Sequence, residues 1–397
     1  MPHWRAAGNR LAEADTLLAL GEVLDEQDEA QKAIEQYQSA LTLYRAEMER
    51  SGEADALGNI GASYSALGET EKAIAHHQQA LALRRATNDK SGEATSLYDI
   101  GFVYDQIGDE TKAVEFGLQA LALWRELKDA PGEARTLNLI GVAYDAMGDK
   151  QSALNYFQLS LPLRRQAGDV RGEAFTLANL GDISNTLGER RQALDYFAQA
   201  RVLFKQLGSN RGEAVMLNNL GKFYALLGDE EQAVAYFKQA RTLTNKIGDL
   251  ERESDALNNL GWVSELQGSW RQAIDFYERA IPLYQKTKNR HGEAFTLNNL
   301  GVSHLAIGER QAAEEYFQRA SALNLELKSR LLEGLVNKNF GELYQSLGRN
   351  TAARRSLEKS LAIAGEMRDA RLQTAVLIQL ARLDRMEGKL HQALKQA

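Results

Sequence analysis

Apolar and polar residues follow one another along this chain in short blocks with helical spacing. Within residues 51–88, Leu57, Ile60, Gly61 and Tyr64 recur at i, i+3, i+4 and i+7. After a break, Ala73, Ile74, His77, Ala80, Leu81 and Leu83 do much the same. Each block leaves one apolar stripe and one polar face, as an amphipathic helix requires, and strand-like alternation is absent. The break holds Gly68 and Glu69. Glycine there can take the left-handed conformation that ends a helix. An acid next to it suits the positive end of the following helix, and an aspartate can also cap it. The pattern predicts a first helix near 51–66 and a second near 70–87.

The same pattern returns every 40 residues. Glycine stands at 21, 61, 101, 141, 181, 221, 261, 301 and 341, and again at 68, 108, 148, 188, 228, 268, 308, 348 and 388. Alanine stands at 33, 73, 113 and every fortieth position to 393. A fixed period in this range means a solenoid, in which helix pairs that cannot bury both faces alone stack on one another. The expected fold is all-α: an α-solenoid of about ten antiparallel helix pairs. The repeats fall at 11–50, 51–90, 91–130, 131–170, 171–210, 211–250, 251–290, 291–330, 331–370 and a truncated 371–397, forming one domain over 1–397. Asp89, Asp129, Asp169 and Asp249 mark the turns between units. Gly61, Ala73 and Ala80 mark close helix approaches, with large neighbours filling the space between.

Some positions depart from the rule. The first unit has Asp28 where the others have glycine, the ninth begins LLEGL in place of GEA, and Ala381 replaces the tenth first-series glycine. Gly117 occupies a place filled by Tyr37, Phe157, Phe197, Phe237, Tyr277 and Phe317 elsewhere. It predicts either a soft joint between the third and fourth repeats or a gap filled by Phe116. Pro162 and Pro282 share one repeat position inside second helices, where a kink is expected.

The order Leu57, Ile60-Gly61, Tyr64, Ala73, Ala80 resembles the tetratricopeptide repeat, with leucine for its leading tryptophan and 40 residues for its usual 34. The long period, TLNNLG at 296–301 and the GEA starts are similar to Pins-type adaptors and kinesin light chains. They resemble still more the arrays of multi-domain bacterial proteins, which often precede a caspase-like CHAT protease or a signalling NTPase. The resemblance implies a right-handed superhelix whose first helices line a concave, partner-binding surface. The matching positions include Asn138, Asn179, Asn218, Asn219, Asn258, Asn259, Asn298, Asn299 and Asn339. An amide offers both donors and acceptors, so it can pair with a peptide group of any sequence. The same amides could instead tie adjacent repeats together. The doubled asparagines at 218–219, 258–259 and 298–299 place the centre of the groove. Tyr98, Phe102, Phe175, Trp262 and Phe295 fall on inward positions as apolar anchors, and Lys222, Lys338, Arg382 and Arg385 could meet acidic groups.

Composition narrows the function. With 44% apolar and 25% charged residues the chain suits a folded protein. It has no cysteine, which excludes disulfides, thiolate zinc sites and cysteine nucleophiles. The absence of cysteine, of an N-terminal apolar h-region and of any 18-residue apolar run leads to the expectation of a cytoplasmic protein off the membrane. No P-loop, GxGxxG, HExxH, GxSxG or EF-hand loop is present, so no cofactor, metal or catalytic site is expected. His77 takes an aromatic core position. The net charge of −7 and the lack of a basic stripe argue against nucleic acid. Residues 1–80 carry 6 basic and 14 acidic side chains, net −8, and residues 321–397 carry 13 and 8, net +5. That asymmetry would favour head-to-tail self-association or docking at one end. The expectation is therefore a protein or peptide partner held by a scaffold. The alternative is a sensor module of a larger effector, suggested by a last helix expected at about 390–407 and cut at Ala397.

Overall fold

The computed structural model describes residues 9–388 and shows nineteen helices and no strand among them. The tenth second helix, with Ala393 and His391, lies outside the described residues. First helices are α1 (Arg10–Glu26), α3 (Arg50–Ala66), α5 (Lys90–Gln106), α7 (Ala130–Ala146), α9 (Val170–Thr186), α11 (Asn210–Leu227), α13 (Leu250–Leu266), α15 (Arg290–Ala306), α17 (Arg330–Ser346) and α19 (Ala370–Met386). Second helices are α2 (Ala30–Ala46), α4 (Thr70–Ala86), α6 (Glu110–Leu127), α8 (Lys150–Ala167), α10 (Arg190–Gln206), α12 (Glu230–Ile247), α14 (Trp270–Lys286), α16 (Arg310–Leu327) and α18 (Asn350–Met367). The chain forms two compact units, Met1–Leu203 and Phe204–Ala397.

Local chemistry sets the ends of the helices. The amides of Gly92, Gly132, Gly172 and Arg252 donate to the carboxylates of Asp89, Asp129, Asp169 and Asp249. Asp109, Asp149 and Asp229 cap second helices in the same way, whereas Glu69 and Glu309 form no such bond. At these second-helix starts the shorter acid reaches back to the third amide and the longer one acts through its charge, although Glu49 does bond the amides of Ser51 and Gly52 at the start of α3. Gly68 and its equivalents have φ near +70 to +84°, and Asp28 adopts the same left-handed conformation at +59° without the glycine. Helices α8 and α14 continue unbroken through Pro162 and Pro282.

The core follows the small-residue columns. Ala73 and Ala80 are wholly buried. Most first-series glycines seat a buried ring from the second helix of their own pair: a Cβ on Gly141 would lie 2.7 Å from Phe157, and one on Gly221 would lie 2.5 Å from Phe237, whereas Gly341 seats Leu357 and Gly101 seats no ring. His77, at 1% exposure, fills the seat at Gly61. The GEA glycines form a second seat: a Cβ on Gly132 would lie 2.5 Å from Trp124 of the preceding helix.

Gly117 does not leave its gap to Phe116, which stacks on Tyr104 at 5.5 Å as Tyr156 stacks on Tyr144. Leu139 and Ile140 of α7 fill it: a Cβ on Gly101 would meet Leu139 at 3.4 Å, and one on Gly117 would meet Ile140 at 2.8 Å. Leucine 139 stands where most repeats carry asparagine, so two departures from the repeat rule compensate each other.

Candidate partner-binding row on the first helices

Within each unit, first helices adjoin the first helices of neighbouring repeats, and among the described residues second helices do not adjoin one another. The first helices are thereby drawn together and the second helices splayed, so first-helix side chains form a continuous row on the inner side of each unit.

The asparagines in this row divide into two groups. Asn259 donates to Asn218 at 3.5 Å, Asn339 to Asn298 at 2.8 Å and Asn179 to Asn138 at 3.3 Å. Each pair joins adjacent first helices. Asn218, Asn259, Asn298 and Asn339 are buried, while Asn138 and Asn179 are half-buried. Asn258 accepts from the Thr296 hydroxyl at 3.0 Å and remains half-buried. Asn219 and Asn299 are also half-buried. In each doubled motif one asparagine is buried and the other half-buried, and at 258–259 both bond to neighbouring repeats, Asn259 to Asn218 and Asn258 to Thr296. Asn59 and Gln379 make the same inter-repeat reach, to Glu22 and Glu342.

The aromatic and basic residues are distributed unevenly. Phe102 and Phe175 are 41% and 49% exposed. Tyr98 stacks against Phe102 at 6.3 Å, and the Arg135 guanidinium lies 4.3 Å above its ring. Trp262 and Phe295 pack partly into the core. Lys338 donates to Asn339, whereas Lys222, Arg382 and Arg385 are exposed.

Acidic groups beneath the row are strongly perturbed. Burial pushes Asp99 up to about 6 and Glu265 up to about 7. Glu265 accepts from the Ser303 hydroxyl at 2.6 Å, beside the buried Tyr277. Asp25 plays the same part toward Tyr37 and Ser63. Both ring-seat tyrosines follow an acid by twelve residues, but Phe157 follows Asp145 by the same distance, so the spacing alone does not mark the pair. His77 has the opposite shift, to about 4, because burial disfavours its cation.

These shifts give a pH prediction. The unfolded chain ionises Glu265 near 4.5, while the folded chain holds it protonated to about 7. Stability contributed by this group is therefore lost as pH rises from 4.5 to 7. Glu265→Gln, which mimics the protonated acid, should match wild type at pH 4. Above pH 7 it should exceed it by on the order of 2–3 kcal/mol in urea unfolding.

Family models described as tetratricopeptide repeat match residues 52–126, 111–166, 212–286, 254–326 and 339–366, more than half of the chain. The chain belongs to the tetratricopeptide repeat family. No curated protein sequence matches it. Among solved structures, this tetratricopeptide repeat chain is similar to the apo quorum sensor NprR from B. thuringiensis, with TM-score 0.63, 17% identity, and 78% of this chain and 87% of that one covered. It is also similar to a Rap protein complexed with Competence and Sporulation Factor, with TM-score 0.60, 16% identity, and coverage of 90% and 99%. A third similar structure is the STAND protein PH0952 with a tetratricopeptide repeat sensor, from Pyrococcus horikoshii, with TM-score 0.62, 13% identity, and coverage of 86% of this chain and 55% of that one. At these identities the likeness is one of fold: a solenoid of helix pairs. No described helix is long and apolar enough to cross a membrane.

Proposed function

We propose that this protein is a cytoplasmic scaffold that binds a peptide or helical segment of a partner along its first-helix row. The exposed pair Phe102 and Phe175 carries the reading. Large aromatics are costly to leave in water, and both stand on the inner side of one unit, where a partner's apolar side chains would cover them. Arg135, stacked over Tyr98, adds a charged edge beside them. In the other unit Asn219, Asn258 and Asn299 offer half-buried amides to a partner backbone, and Lys222 and Arg382 offer charge at the rim. The buried amides Asn218, Asn259, Asn298 and Asn339 hold the first helices in register beneath that surface.

The test is peptide selection against the full chain, followed by affinity measurement on variants. Phe102→Ala with Phe175→Ala should weaken selected peptides about tenfold or more, since exposed aromatic anchors dominate such interfaces. Its circular dichroism should be unchanged. Undiminished binding would remove the row of this unit as the site. A second reading, a sensor module governing an effector domain, is favoured by the fold shared with the tetratricopeptide repeat sensor of the STAND protein. It requires the same row to bind a ligand.

A further inference from the structure

A cleft on the other side of the molecule breaks the repeat rule at three places at once. In most repeats a leucine or isoleucine wedges between adjacent helix pairs: Leu41, Leu81, Leu121, Leu161 and Ile281 are all buried. The equivalent residue of the sixth repeat is Arg241. Three residues later, where Tyr44, Trp124 and Tyr284 fill the seam, stands Thr244. Ser264 takes the place of the tyrosine on which the ring of the second helix stacks elsewhere, as in Tyr224–Tyr236 and Tyr144–Tyr156.

Removing these three side chains opens a cleft of about 550 Å³ between the splayed second helices α12 and α14, floored by Leu260 of α13. A basin of about 270 Å³ continues it past Ser264, sharing Lys238, Leu260, Gln272 and Phe276. The larger part is lined by three cations, Lys238, Arg241 and Arg279, and by no carboxylate. Arg279 is held by Asp275 at 3.1 Å, close to the Phe276 ring. Arg241 points its Nε inward, buried and without a hydrogen bond, with its nearest carboxylate, Glu253, 3.7 Å away. Lys238 makes no ion pair among the described residues. Around them Gln272 offers a neutral donor and acceptor and Asn245 its amide oxygen, while the Asn245 nitrogen donates to Glu253 and the Thr242 hydroxyl to the Lys238 carbonyl.

We propose that this cleft is a second binding site, for an acidic peptide segment. The cations select carboxylates, Leu260 and Phe276 receive an apolar side chain between them, and the amides pair with peptide groups. The elongated form, running along two helices, suits a chain more than a compact ion. A lone carboxylate, Glu231, stands at the far end of the smaller basin. This site is independent of the first-helix row, because it lies between second helices.

The test uses the full-length protein and a labelled hexapeptide, Asp-Glu-Leu-Phe-Asp-Glu, followed by fluorescence anisotropy at low and high salt. Wild type should bind it with marked salt sensitivity. Arg241→Leu restores the wedge used by other repeats, so it should fold at least as stably while losing about tenfold or more in affinity. Lys238→Gln, an exposed change, should also weaken binding, which separates lost charge from a filled cleft. Phe102→Ala with Phe175→Ala should leave it unchanged. The proposal is overturned by wild-type affinity in Arg241→Leu, by equal binding of the neutral twin Asn-Gln-Leu-Phe-Asn-Gln, or by inorganic phosphate binding with the same dependence on Arg241.

Discussion

Phe157→Ala should destabilise the protein by about 3–5 kcal/mol in urea unfolding, the range for removing a fully enclosed phenylalanine. The ring is 1% exposed and rests directly on Gly141, so nothing flexible stands ready to collapse into the space. The third repeat shows what a compensated loss looks like. There Gly117 supplies no ring, and Leu139, 4% exposed, leans over Gly101 instead. Leu139→Asn would restore the residue most other repeats use and yet should cost about 2–4 kcal/mol. It removes the methyl groups that fill the hollow and turns an amide toward an apolar wall. If Leu139→Asn were neutral, the compensation between Gly117 and Leu139 would be wrong.

A comparably large loss is expected from Arg354→Ala. In the ninth and tenth repeats an apolar pair has been exchanged for an ionic one. Arg354 stands where Ile34, Ile74 and Leu154 stand in other repeats, and Asp384 stands where Tyr64, Tyr104 and Tyr144 do. Asp384 is fully buried and bonded to the Arg354 guanidinium, which also reaches Glu387 at 2.9 Å. Taking away the arginine leaves a buried carboxylate with no counter-charge, a loss of about 3–5 kcal/mol. Arg354→Ile with Asp384→Tyr returns both places to the residues of other repeats and should recover most of that loss or exceed wild type, because well-packed apolar pairs often equal buried ion pairs. Equal damage from the single and double variants would show that packing, not charge, governs the site.

The candidate site was legible only in part. The forty-residue period placed Asn218 and Asn219 side by side on the correct helix, but not which of them would turn into the neighbouring repeat. That depends on Asn259, 41 residues away and in contact only after stacking. The leucine column that Arg241 breaks is broken also by Arg201 and Ser321, so the column alone did not mark the cleft. Its meaning required knowing that this column faces the next repeat.

What the sequence determined by itself is what local interactions govern. Helix ends at Arg50–Ala66 and Thr70–Ala86 fall within a residue of those expected, because the acids Glu49 and Glu69 at their starts, the left-handed Gly68 and Asn88 after their ends, and the apolar spacing between all act over a few residues. Tertiary structure alone decided which amides are buried, how Leu139 answers for Gly117, why Asp384 tolerates burial, and where the second helices part. These are contacts between side chains of successive repeats, and their energies depend on the partner opposite, which no single repeat contains.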